Sequence, residues 1–226
     1  MKNENKLNTV DAGRQVSDDK LVKIVRNNGK IKITFLGNSI TRHMPKPEIG
    51  WHHDWGMAAS SEEKDYVHII VKALEEKYGE VDYCMCSLGI WEKEYWNTDI
   101  LNKYLAAVEF DADIVVVRIA ENVWGVRDKL AELPLATYWE YMIKFFSKST
   151  TKIIVTDDFW SYAPIDDPIH EVCAKNNYTL VKLGELGDDP NNKALKEYEH
   201  EGVAIHPNDA GMRAIALKIL TEGNLI

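Results

Sequence analysis

The sequence predicts an α/β protein of three layers, α/β/α, with a five-stranded parallel sheet in the middle. Short β-branched runs alternate with amphipathic segments at helical spacing from about residue 31 to residue 222, the rhythm of a parallel sheet covered by helices on both faces. One run, Asp113 to Ile119 (DIVVVRI), is β-branched nearly throughout, as a central strand buried on both faces must be. The 226 residues, 45% of them hydrophobic, are enough for one large domain, and no Pro- or Gly-rich linker divides them.

Residues 1–29 are polar and read as an N-terminal extension packed on a main domain of residues 30–226; Leu21 to Val25 is a possible short strand ending at the turn Asn27-Asn28-Gly29. The first strand of the main domain is the apolar run Ile31, Ile33, Phe35 and Leu36, closed by Gly37, after which Ser39 is presented where the strand ends. His43 to Ser60 carries two prolines, two glycines, Trp51, Trp55 and His52-His53-Asp54, which predicts a long irregular loop, a candidate lid. Adjacent residues do not aim at one ion, so the His-His-Asp cluster is not read as a metal site.

Ser61 with Glu62 and Glu63 predicts a helix start, and Val67, Ile70, Val71 and Leu74 form its apolar stripe to about Tyr78. Val81 to Leu88 is the second strand, and Cys84 and Cys86, two apart, share one of its faces as small hydrophobes. Ile100 to Val108 reads as a helix before the third strand, Asp113 to Ile119. Then come a helix over Tyr138 to Phe146, a strand Lys152 to Thr156, a helix Ile165 to Lys175 and a strand Thr179 to Leu183. Asp157-Asp158 reads as loop polarity. Near the end, Pro207 keeps His206 out of helix, and Asn208 or Asp209 caps a last helix with the stripe Met212, Ile215, Ala216, Ile219 and Leu220.

A net charge of −9 with no basic run argues against nucleic acid or an anionic membrane surface as partner. No stretch has the length of a signal peptide core or a membrane span, so a cytoplasmic location is the expectation, and three sparse cysteines fit reduced thiols there.

Ser39 at the carboxyl end of a strand and His206 on a loop before the last helix make a joint signal. A hydroxyl attacks poorly near neutral pH unless a base takes its proton, and a loop imidazole can do so. With these blocks in view, residues 30 to 222 resemble the SGNH hydrolases, the GDSL esterase and lipase superfamily. The matching blocks are Gly37-Asn38-Ser39, the region around Gly89, Ala120-Glu121-Asn122 and Val203-Ala204-Ile205-His206-Pro207.

The resemblance implies a flavodoxin-like strand order, 2-1-3-4-5, and a catalytic set of Ser39, His206, Asn122 and Gly89. Ser39 is the nucleophile and His206 the base. Asn122, with backbone N–H groups of Ser39 and the Gly89 region, lines an oxyanion hole. The register leaves Gly89 and Trp91 both open as the second backbone donor. Two departures stand out: Asn38 replaces the aspartate beside the nucleophile, and Val203 stands where the aspartate that orients the histidine belongs. Valine accepts no hydrogen bond, so Glu201, His200 or a backbone carbonyl must substitute.

Trp51, Trp55, Trp91, Trp96, Trp124 and Trp160 follow predicted strands one to four, on one rim of the sheet; at least half should fill core between loop and helix. Asn38, Trp51, Trp55, Trp91, Trp124 and Trp160 are the expected substrate-binding residues. The expected activity is hydrolysis of a small-molecule or saccharide O-acyl ester by a Ser-His dyad, with neither metal nor organic cofactor. The alternative is a carbohydrate-binding relative that kept the pocket and lost the chemistry. An α/β-hydrolase elbow is disfavoured because Gly37-Asn38-Ser39-Ile40-Thr41 lacks the second glycine, and a phosphate loop because no glycine-rich signature is present.

Overall fold

The β-branched runs of the sequence all enter one sheet. A computed structural model describes residues 18–226. The strands are β1 (Val22–Val25), β2 (Ile31–Gly37), β3 (Val81–Ser87), β4 (Ile114–Arg118), β5 (Lys152–Thr156) and β6 (Thr179–Val181), ordered β1-β3-β2-β4-β5-β6. β2 to β6 are parallel, and counted by themselves they have the order 2-1-3-4-5. The sheet has one strand more than the five expected for the main domain: β1 pairs antiparallel with β3, Val22 opposite Cys86 and Val25 opposite Tyr83. β1 belongs to the predicted N-terminal extension; residues 1–17 of that extension lie outside the described residues.

Side-chain alternation divides the core into two layers. Ile33, Phe35, Tyr83, Met85, Val116 and Ile154 face α1 (Tyr66–Tyr78) and the last helix, Asp209–Glu222. Leu36, Cys84, Cys86, Val115, Val117 and Val155 face the opposite layer, which includes α2 (Gly89–Lys93), α3 (Leu135–Phe145) and α4 (Ala163–Asn176). Helices on both faces complete the α/β/α sandwich. We number the last helix α5; Asn208 caps it by accepting from Gly211 N at 3.0 Å.

Two boundaries differ from expectation. α1 begins at Tyr66, because Asp65 rather than Ser61 caps it: its carboxylate accepts from His68 N at 2.9 Å and from Gly56 N at 3.0 Å. Residues 62–64 form only a 3-10 turn. The helix expected over Ile100 to Val108 is a 3-10 turn, Thr98–Tyr104, that runs into a short α-helix, Leu105–Glu109. Among the described residues no helix is long and apolar enough to cross a membrane.

The loop after β2 is folded rather than free. Backbone bridges pair His43 with Trp55 and Lys46 with Trp51, while Trp51, Met57 and Ala58 pack with Ala194 and Val203. The loop is thereby fastened to the segment that carries His206.

Candidate active site

Ser39 follows β2 directly, in a turn where Thr41 N and Arg42 N both donate to the Asn38 carbonyl at 3.0 Å. Gly37 permits that turn: a Cβ there would stand 1.8 Å from Thr41 Oγ1 and 2.9 Å from the Arg118 carbonyl. From the other end of the chain, the segment before α5 is held by Ala194 N donating to the His206 carbonyl at 3.0 Å and Asn208 N to Asn192 at 3.1 Å. The two ends meet. Ser39 Oγ lies 2.8 Å from His206 Nε2 across 167 residues of sequence. With the hydroxyl as donor, Nε2 accepts and the ring proton sits on Nδ1.

His206 is only 8% exposed, and Trp160 packs edge-on against its ring at 5.3 Å between centroids. Burial pushes its pKa down to about 4, against an upward pull from the Gly202 carbonyl. Nδ1 makes no hydrogen bond of normal geometry. None of the expected substitutes for a carboxylate bonds Nδ1: Glu201 and His200 are exposed, and Val203 is buried among apolar neighbours.

Gly89 opens α2 and lines the same cavity as Ser39; the first N–H groups of a helix have no acceptor within it. Asn122 lies in the 3-10 segment Glu121–Lys129 after β4, and its Nδ2 donates to Glu92 Oε2 at 2.5 Å. Its second amide hydrogen makes no bond among the described residues. The chain enters this segment through Ala120 at φ 150°, a conformation L-residues avoid, held by Ala120 N donating to Glu92 Oε1 at 3.1 Å.

Beneath Ser39 lies a buried charge network absent from the sequence reading. Arg118, fully buried at the end of β4, donates through both terminal nitrogens to Glu121 and through Nη2 to Asn38 Oδ1 at 2.5 Å. Asn38 Nδ2 in turn donates to Glu92 at 3.0 Å and to Glu121 at 2.6 Å. Burial, with the nearby Glu121 charge, pushes Glu92 up to about 7, while its four hydrogen-bond donors favour the anion. The sequence did hold one signal of this network: Arg118 is a charge inside an otherwise apolar strand run.

No protein-family model matches the sequence, and neither does any curated protein. Solved structures do match. A GDSL-like lipase from Bacteroides ovatus superposes with a TM-score of 0.55 at 16% identity, over 87% of this chain and 99% of that one. A GDSL-like lipase from Bacteroides uniformis gives 0.54 at 15% identity, over 88% and 97%. An acetyl xylan esterase gives 0.51 at 19% identity, over 84% and 98%. The fold is that of the SGNH hydrolases.

Within this SGNH fold several expected site residues have other work. Asn38 is 3% exposed, and its amide is committed to the network, although it borders the cavity beside Ser39. Trp51 and Trp91, at 0% and 1% exposure, are core; Trp91 therefore presents no indole to a ligand. Trp55 is partly buried, donates to the Ala59 carbonyl at 2.9 Å and stacks on His53 at 4.1 Å, which spends it inside its own loop. Trp160 touches His206. Trp124 is 48% exposed beside Asn122, edge-on to Tyr162 at 4.5 Å and under the Arg127 guanidinium at 4.2 Å. The Asp157-Asp158 pair is buried rather than loop polarity: Asp157 accepts from Leu183 N and meets His170 Nε2 at 3.1 Å, and burial raises Asp158 well above the usual carboxylate range. Among the described residues no cluster of His, Cys, Asp and Glu has the form of a metal site.

Beside Ser39 a cavity of about 190 Å³ is walled by Leu21, Met44 and Ile90, with Asn38, Arg42, Ser87 and Gly89 around its base. Arg42 is not free to bind an anion there, since it makes a two-point pair with Asp54 at 2.9 and 3.0 Å.

Proposed function

We propose that the protein is a serine carboxylic ester hydrolase acting on short O-acyl esters, with a saccharide as the preferred alcohol. The observation that carries this reading is the 2.8 Å contact between Ser39 Oγ and His206 Nε2. In the first step Ser39 Oγ attacks the ester carbonyl while His206 Nε2 takes its proton. Asn122 Nδ2 and the N–H groups of Ser39 and Gly89 face the developing oxyanion. His206 then returns the proton to the leaving alkoxide, and water repeats the sequence on the acyl-enzyme to release the acid.

The small apolar cavity supports an acetyl-sized acyl group. Half-exposed Trp124 and partly exposed Trp160 support a sugar as the alcohol, since indole faces cover pyranose C–H surface. The similarity to an acetyl xylan esterase agrees with this choice. Ser39→Ala should remove hydrolysis of p-nitrophenyl acetate and of acetylated oligosaccharides with an unchanged Tm. Turnover equal to wild type would refute the assignment.

One observation favours a second reading, a saccharide-binding protein with residual chemistry: no carboxylate backs His206 Nδ1. On that reading acetylated oligosaccharide binds by calorimetry while wild type and Ser39→Ala turn over equally slowly.

A further inference from the structure

Glu92 bonds both the loop that carries Ser39, through Asn38, and the loop that carries Asn122. Its carboxylate is fully buried, and every partner is a donor: Asn38 Nδ2 at 3.0 Å, Ala120 N at 3.1 Å, Asn122 N at 3.1 Å and Asn122 Nδ2 at 2.5 Å. Three of the four fall on Oε1, and only the Asn122 amide falls on Oε2. Glu92 lies on α2, the helix that Gly89 opens, so it joins the loop ends of β2, β3 and β4 at one point. A side chain used only to fill space would not be an acid in a fully desolvated position, where an unpaired carboxylate is strongly unfavourable.

We propose that Glu92 is a positioning residue for acyl transfer. It clamps one Asn122 amide hydrogen, so that the other is held toward the oxyanion, and it fixes the loop of Ser39 through Asn38. The proposal rests on the serine-esterase reading. It also accounts for Asn38 where the family has aspartate: the acid has moved across to α2, and residue 38 must now donate rather than repel.

The test is a double-mutant cycle in the full-length protein, with kcat and KM for p-nitrophenyl acetate measured for wild type, Glu92→Gln, Asn122→Ala and the double variant. Glutamine keeps the shape but must turn its NH2 against the Asn122 amide or against the three donors on Oε1. Loss of one oxyanion donor lowers kcat by about 100-fold. Glu92→Gln should therefore lower kcat about 10- to 100-fold with KM changed less than about threefold, and in the Asn122→Ala background it should add less than about threefold. Glu92→Asp should recover part of kcat.

A wild-type kcat in Glu92→Gln, or an equal loss in both backgrounds, overturns the inference alone. A wild type with no Ser39-dependent turnover overturns the esterase reading and this with it. Should the Glu92 variants not fold, the Asn122 side-chain amide of the wild type carries the test by NMR. One downfield, slowly exchanging Nδ2 proton beside a fast one is expected, and two equivalent, fast-exchanging protons overturn the clamp.

Discussion

At the scale of single residues, the site joins a buried imidazole to a hydroxyl, with no carboxylate on the ring's other nitrogen. Because burial holds His206 near pKa 4, the base form persists in acid and is lost only as pH falls through about 4. The kcat/KM profile for p-nitrophenyl acetate should therefore show its last acid-side fall near pH 4, well below the ordinary histidine value. A shallower step near 7 should report Glu92, which faces Asn38, Asn122, Glu121 and, across the network, Arg118 and Asp158; that step should vanish in Glu92→Gln. A single fall at pH 6.5 would contradict both assignments. The missing carboxylate also predicts a modest rate, since disabling the triad acid in a serine protease lowers kcat by about 10⁴. Ser39 and His206 were legible because a strand end and a proline-marked loop place them.

Elements account for how these residues are held. The apolar stripes marked α1 and α5 correctly, yet the α1 cap was misassigned, because Ser61-Glu62-Glu63 and Asp65 are both plausible starts. Tertiary contact decided for Asp65, which also takes Gly56 N. Asp65→Ala should lower stability by about 1–2 kcal/mol in urea denaturation, the range for a lost N-cap. A change under a few tenths would mean the loop after β2 does not lean on that carboxylate. The tryptophans split for a similar reason: a loop long enough to fold against itself buries its own indoles, as Trp51 shows, whereas Trp124 on a short segment stays exposed. Leu21, at 2% exposure just before β1, walls the cavity beside Ser39 that we propose takes the acyl group. Leu21→Ala should lower stability by about 2–5 kcal/mol and shift the kcat/KM preference from acetate toward butyrate p-nitrophenyl esters. An unchanged chain-length profile would place the acyl group elsewhere.

For the whole molecule, helices on both faces of a parallel sheet were readable because period-2 strands and period-3.6 helices are signals of burial, whereas the strand order came only with the family resemblance. The charged centre was not readable. Glu92, Glu121 and Asp158 look like ordinary loop polarity until the carboxyl ends of β3, β4 and β5 are folded around Arg118. Replacing Asn38 by aspartate should consequently destabilise the fold. It would set a third carboxylate against Glu92 and Glu121 with one guanidinium among them, a loss of about 2–3 kcal/mol by urea denaturation. The buried groups also oppose each other in the dependence of stability on pH. His206, depressed from 6.5 to about 4, contributes stability that is full above pH 6.5 and lost as pH falls through about 4. Glu92, raised from 4.5 to about 7, contributes stability that is full below pH 4.5 and lost as pH rises through about 7.

The coupling of Ser39 to His206 is read most directly by mass mapping after reaction with a fluorophosphonate. Wild type should carry one phosphonyl adduct on Ser39, and His206→Ala should carry none under the same conditions. An unlabelled wild type, or labelling of Ser39 that survives loss of the imidazole, would contradict activation of the hydroxyl by this histidine.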